Sequence, residues 1–317
     1  MKARKMNKIF ISLGMICLAL IFITSEAFPW GYATHAYIDD HIGKKCGSKN
    51  MYEIYGGMSP DIFNYMFDYP EYLGYLYYQT HNEFIQVWEK AKTKREKAFG
   101  YGFVSHNDVW GADYTAHHSG ITYGQTQGFV IEKAYILKQI LEQIPEYQAL
   151  DLPDSLALEV SHNFIENGID ILIKRLDPNI GKKIALSALY RNHKIPLFLV
   201  RTYAEDFSAY AGISYPEAAY LITTAEKEFR ESMILYGQAL MQDEETAVEL
   251  ISEQTADIAE SFLGVYGITL PEGIDLMPII IFAIQQSIEI CSGDYADEIE
   301  ATVYHVDQQL GAHGVTY

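Results

Sequence analysis

The chain has 317 residues, 42 of them acidic against 23 basic, and a formal net charge of −19. So acidic a surface argues against tight, sequence-independent binding to nucleic acid, which needs Lys and Arg at the phosphates. The absence of repeats, low-complexity tracts and Ser/Pro linkers argues against a string of small modules.

Taken in chain order, the first element is a leader. Lys2, Arg4, Lys5 and Lys8 precede the apolar run Ile9 to Thr24, which is short for a membrane span, and Ser25-Glu26-Ala27 offers small residues at the cleavage positions. Residues 1–27 are therefore expected to be a signal peptide, and the mature protein secreted or periplasmic. Cleavage would remove four positive charges and Glu26, leaving a net charge of −22. Of the cysteines, Cys46 and Cys291 would remain. They could pair in an oxidising compartment, but one pair near opposite ends makes no disulfide framework, and their spacing is not that of a zinc site.

The next segments carry metal-ligating side chains. Trp30-Gly-Tyr-Ala-Thr-His35 is followed by Gly56-Gly-Met-Ser-Pro-Asp61 and then by Thr80-His81-Asn. Tyrosine is dense between them, at Tyr65 to Tyr69 and Tyr72 to Tyr78. Ordinary packing and loop surface account for such clusters more readily than an aromatic rim meeting lipid or a choline-like cation, but both readings stand.

The most informative stretch runs from Ser105 to His118, with three His and two Asp in fourteen residues. On one helix His106, Asp113 and His117 would stand at i, i+7 and i+11 and share a face. A second predicted helix, over 154–177, has apolar residues at Leu158, Ile165, Ile169, Leu172 and Leu176 and places His162 and Glu166 at i, i+4. Imidazole with carboxylate is the donor set of borderline divalent metals such as zinc. Two such helices facing each other would build a metal site inside a bundle. Asp170, four residues beyond Glu166, is a candidate outer partner for that site. His41, His193, His305 and His313 lack comparable neighbours and read as surface or core residues. Predicted helices follow over 215–241, 245–263, 275–290 and 295–310, and alternating strand patterns are absent, so the fold is expected to be all-α.

These segments, in this order behind a leader, resemble the zinc-dependent phospholipase C family. The catalytic domain of glycosylphosphatidylinositol-specific phospholipase D and, more distantly, the S1/P1 nucleases share the pattern. The resemblance covers roughly residues 30–177. It implies a multi-helix phospholipase C/P1 nuclease-like bundle with about three Zn2+ ions in its core. Residues 28–317 would be one helical domain, with a metal-site core over about 30–178 and a helical C-terminal extension over about 179–317. By that resemblance Asp61, His81, His106 and Asp113 hold one ion. Asp113 bridges to a second, which also takes His35 and the amine and carbonyl of Trp30. His117, His162 and Glu166 hold the third, and Asp61 helps orient or deprotonate the attacking water.

The implied activity is hydrolysis of a phospholipid or other amphiphilic phosphodiester at the glycerol–phosphate bond, with transient contact to a membrane surface. A nuclease or nucleotidase, and a secreted binding protein with a structural metal, are the alternatives. Three departures from the family pattern matter. His106 and Asp113 are seven apart rather than four, which brings Asp108 into competition. His117 is preferred over His118, which stays in reserve. Trp30 can ligate through its amine only as residue one of the mature chain, whereas cleavage after Ala27 leaves Phe28-Pro29 in front.

Overall fold

The computed structural model describes residues 30–43, 47–122, 127–271 and 273–316, and these are helical with no strand among them. The expected leader and Cys46 lie outside the described residues, so neither the cleavage nor the pairing of Cys46 with Cys291 enters the structure. Cys291 itself is buried. Among the described residues no helix is long and apolar enough to cross a membrane.

The elements are α1 (Tyr32–Ile42), α2 (Ser48–Met58), a 3-10 helix (Ser59–Tyr65), α3 (Pro70–Tyr77), a π turn (Tyr78–Asn82), α4 (Ile85–Lys90) and α5 (Lys94–His106). Then come α6 (Ala112–His117), α7 (Phe129–Leu141), α8 (Pro145–Gln148), α9 (Asp154–Leu176), α10 (Ile180–Tyr190) and α11 (Ile195–Ala211). The chain closes with α12 (Tyr215–Leu240), α13 (Glu244–Val265), α14 (Met277–Cys291) and α15 (Tyr295–Ala312).

The helices expected over 154–177 and in the C-terminal half lie within a few residues of these bounds, as apolar periodicity and the caps dictate. Pro216 sits in the first turn of α12, where its missing N–H is no loss, and the Ser214 hydroxyl caps the Glu217 N–H. Asp243 caps α13 in the same way through Thr246.

α9 is the axis of the molecule. It packs on α7, α14 and α1, while α12 leans on α10, α11 and α13. Its midsection from Phe164 to Ile173 is almost wholly buried. The clasp between α9 and α1 is polar. Both oxygens of the Asp170 carboxylate accept from the start of α1: Oδ2 from the Ala33 N–H at 2.7 Å, Oδ1 from the Thr34 N–H at 2.9 Å and the Thr34 hydroxyl at 2.8 Å. Tyr236 of α12 donates its hydroxyl to the same carboxylate at 2.7 Å. Asp170 is thus the N-terminal cap of α1, supplied from 137 residues away. Gly31 makes the approach possible, because a Cβ there would stand 2.6 Å from the carboxylate. Asp170 was expected to support Glu166; it supports the segment carrying Trp30 and His35 instead.

One expectation is overturned. His106, Asp113 and His117 do not share a helix. α5 ends at His106, and Asn107 turns to φ −24°, ψ 153°. The Asn107 side-chain oxygen then accepts the N–H groups of Val109, Trp110 and Gly111. This competes with helix continuation and draws the chain into a tight turn. At Gly111 a Cβ would lie 2.5–2.6 Å from the carbonyl oxygens of Ser105, Asn107 and His106, so only glycine closes the turn.

Replacing Asp170 with Ala should cost about 3 kcal/mol or more, because it leaves buried N–H and O–H donors unpaired. Urea unfolding of the variant checks this, and a cost below about 1 kcal/mol would mean that the clasp does not hold α1.

Candidate metal centre

The turn that breaks the helix also aims the ligands. α6 starts afresh at Ala112 and carries Asp113 and, one turn later on the same face, His117. Around it stand His35 on α1, Asp61 on the 3-10 helix, His81 on the π turn, His106 at the end of α5, and His162 and Glu166 on α9. Local π geometry of this kind recurs at functional sites. Here the Asp108 N–H donates to the His81 carbonyl at 3.1 Å and ties that turn to the Asn107 turn.

Eight of the nine expected ligands meet in three groups whose donor atoms lie within 4.8 Å of one another: His35, His106 and Asp113; Asp61, His81 and His106; and His117, His162 and Glu166. All are buried except His117, which is half-buried. Asp113 sits at the middle. Its Oδ1 is 3.1 Å from His35 Nε2, and its Oδ2 is 2.9 Å from His106 Nε2 and 3.6 Å from His81 Nε2. His81 Nε2 is 3.5 Å from Asp61 Oδ1. In the third group His162 Nε2 is 2.6 Å from Glu166 Oε1 and 3.2 Å from His117 Nε2.

The surroundings fix the tautomers. His106 Nδ1 lies 2.7 Å from the Gly57 carbonyl, which can only accept, so Nδ1 carries the proton and Nε2 an open lone pair. His81 Nδ1 faces the Tyr77 carbonyl at 3.2 Å and the Thr80 hydroxyl at 2.8 Å, and that hydroxyl spends its own proton on backbone carbonyls. His81 Nε2 is then also a bare lone pair, 3.1 Å from His106 Nε2. The His117 Nδ1–H points at Asp108 Oδ1 at 3.2 Å, which leaves its Nε2 open towards His162. Lone pairs on nitrogen and oxygen therefore converge on shared points. A cation at those points turns the repulsion into ligation. Ring contacts stiffen the arrangement: His35 stacks on His106 at 3.8 Å, and Tyr77 on His81 at 3.9 Å.

Unpaired buried atoms mark the same places. His35 Nε2, both Asp113 oxygens and Glu166 Oε1 make no hydrogen bond although they are sealed from water. Such groups are costly unless charge is neutralised locally. Burial lowers the pKa of His35 well below the imidazole range, and the neighbouring His106 and His81 lower it further. Burial lowers His106 and His162 as well. It raises Asp113 and Glu166 well above the carboxylate range. The His35, His106 and His162 imidazoles are thus neutral at pH 7, the form that binds metal. The donor set and its geometry fit metal ions.

The remaining expectations sort as follows. Trp30 is fully buried, its indole N–H donating to the Ala112 carbonyl at 2.8 Å and the Thr115 hydroxyl at 3.0 Å, so its side chain braces α6. His118 stays outside the groups, half-exposed and paired with Asp108 at 2.9 Å. Asp108 is no competitor to Asp113. Burial alone would raise its pKa, but hydrogen bonds from His117 and His118 outweigh that and hold it well below the usual range, an anchor behind the His117 ring. His41 is exposed, and His305 and His313 pack against Trp110 through its carbonyl and its ring.

Glu159 went unnoticed in the sequence. It lies one turn before His162 on the same face, and burial pushes its carboxyl up to about 8. Its spacing of seven from Glu166 was the available signal.

Comparison with protein-family models, with curated proteins and with solved structures gives no match for this chain.

Glu159 supplies a pH test. Its folded-state pKa is raised above the unfolded value, so the folded protein holds the proton more tightly. The stability this gives is full below about pH 4 and is lost as pH rises to about 8. The stability advantage of Glu159→Gln over the parent should therefore be near its minimum at pH 4 and grow by a few kcal/mol up to about pH 8. A pH-independent difference in urea midpoints would refute this.

Proposed function

We propose that this protein is a zinc-dependent phosphodiester hydrolase of the phospholipase C type, built on a phospholipase C/P1 nuclease-like bundle. The observation that carries the reading is the meeting of His35, Asp61, His81, His106, Asp113, His117, His162 and Glu166 in three buried groups. They come from the separate segments that carry the family resemblance.

In this reading Asp113, which faces His35 on one side and His106 and His81 on the other, would help hold two ions, and Trp30 braces the helix that carries it. His117, His162 and Glu166 would hold a third ion. Zinc in such groups lowers the pKa of water and neutralises charge on phosphoryl oxygens. Asp61 is held by the Asn64 side-chain N–H at 3.0 Å and borders both the metal groups and an adjoining cavity. That position suits it to orient the attacking water and accept its proton.

The tyrosines divide between roles. Tyr65 lines the cavity and donates to Ser232, while Tyr69, Tyr78 and Tyr210 are exposed and Tyr75 stacks on Tyr210 at 3.9 Å. Exposed aromatic rings of this kind favour a lipid surface over a polyanion. A secreted hydrolase working at such a surface matches the expected leader.

Elemental analysis tests the ion assignment. Asp113→Ala should lose about two zinc ions per chain and Glu166→Ala about one. A full complement in Asp113→Ala would remove the bridging role.

A substrate panel tests the activity. Release of phosphorylated headgroup from lipid should exceed nucleotide release from single-stranded DNA, with the gap widening as salt falls, because the acidic surface repels a polyanion most strongly there. DNA hydrolysis at low salt without lipid turnover would move the protein to the nuclease branch. Bound zinc with no turnover of any phosphodiester would make the metal structural.

A further inference from the structure

A cavity of about 190 Å³ adjoins the metal groups. At one end it is bounded by Trp30, Asp61 and Glu166. Val160 and Phe164 of α9, Ile251 and Phe262 of α13 and Ile279 of α14 are among the residues that line the rest. Among the described residues Asp61 and Glu166 are the only charged ones in the lining, and both belong to the candidate metal groups. Ile258, also in the lining, is 38 % exposed and places part of the wall at the surface.

The cavity is therefore charged at the end bounded by Asp61 and Glu166 and mostly apolar elsewhere, with Asn163, Asn167, Ser232, Gln254 and Thr255 as neutral polar residues in its wall. Among the described residues the lining has no Lys or Arg to receive a second anionic group. A ligand that satisfies this distribution is charged at one end and hydrocarbon along the rest.

We propose that this cavity binds one acyl or alkyl chain of the substrate, with the chain's polar end towards Asp61 and Glu166. Placing the phosphoryl group at the metals rests on the hydrolase reading above; occupation of the cavity by a chain does not. The substrate is then a single amphiphile drawn partly out of its surface, and α13 and α14 form its binding wall. A dry cavity of ~150 Å³ accommodates benzene, so this one holds roughly six to eight methylene groups. Each buried methylene should tighten binding about fourfold.

The test is a calorimetric titration of the zinc-loaded protein with alkylphosphocholines of four to twelve carbons, each below its micelle concentration. Affinity should rise about fourfold per methylene up to about eight carbons and then flatten. The heat-capacity change should be negative and grow over the same range. Thr255→Trp and, separately, Val160→Phe narrow the cavity from α13 and from α9. Each should move the plateau to a shorter chain while turnover of soluble bis(p-nitrophenyl) phosphate stays at the parent level.

Affinity independent of chain length overturns the proposal, as does a rise that continues past ten carbons, the mark of adsorption to an outer face. Tighter binding of adenosine monophosphate than of octylphosphocholine overturns it in favour of a base pocket. A chain-length plateau without turnover of any phosphodiester leaves the chain site standing and removes the hydrolase reading. Turnover of the soluble diester without a plateau does the reverse.

Discussion

Everything at the centre of this protein depends on one buried carboxylate that is not a ligand. Asp170 takes four hydrogen bonds, three from the first turn of α1 and one from Tyr236. Burial pushes its pKa up to about 6, against the pull of those bonds. Taking a carboxylate out of water is costly, and four well-placed donors are what make it tolerable. In return the interaction fixes the axial position of α1 against α9. His35 sits one residue past the capped turn, and Glu166 one turn before Asp170. The distance between the N-terminal and the α9 sides of the site is set by that clasp.

The metal groups reverse the usual logic of a protein interior. A core normally hides apolar surface and pairs whatever polar atoms it must enclose. Here imidazole and carboxylate atoms are brought together with their lone pairs facing one another. Backbone carbonyls at Gly57 and Tyr77, and the Asp108 carboxylate, hold the opposite ring nitrogens so that the rings cannot rotate or change tautomer to relieve it. Such preorganisation belongs to a site that binds a cation without rearranging. The same arrangement explains why the outer partners fall on backbone and loop positions, which impose direction without adding a rival ligand.

Much of this was legible in the sequence, and the limits were physical. The clustered residues could be found because few side chains bind borderline metals, and because His162 and Glu166 repeat at helical spacing. The break after His106 could not be found by periodicity: seven residues is close to two helical turns, so a continuous helix and a turn followed by a new helix place Asp113 almost equally well. What decides is Asn107, whose side chain competes for three backbone N–H groups, and Gly111, which permits the close approach. Trp30 was read through its backbone, yet its indole does the bracing, and no spacing rule reports an N–H reaching a carbonyl 82 residues away. The cavity was hidden for the same reason: its walls come from residues 30–67, 147–167, 232–236, 251–263 and 276–280, and only packing brings them together.

The separation of 137 residues between Asp170 and Ala33 has a consequence in time. α1 leaves the ribosome early, but its cap is supplied by α9 and steadied by Tyr236 of α12. Until those are made and docked, the first turn of α1 has no acceptor, and His35 has no fixed place beside Asp113. Contacts this distant in sequence form late and slowly. The centre is therefore assembled by the closing steps of folding, and a nascent chain carries these side chains apart, without the shared geometry of the finished core.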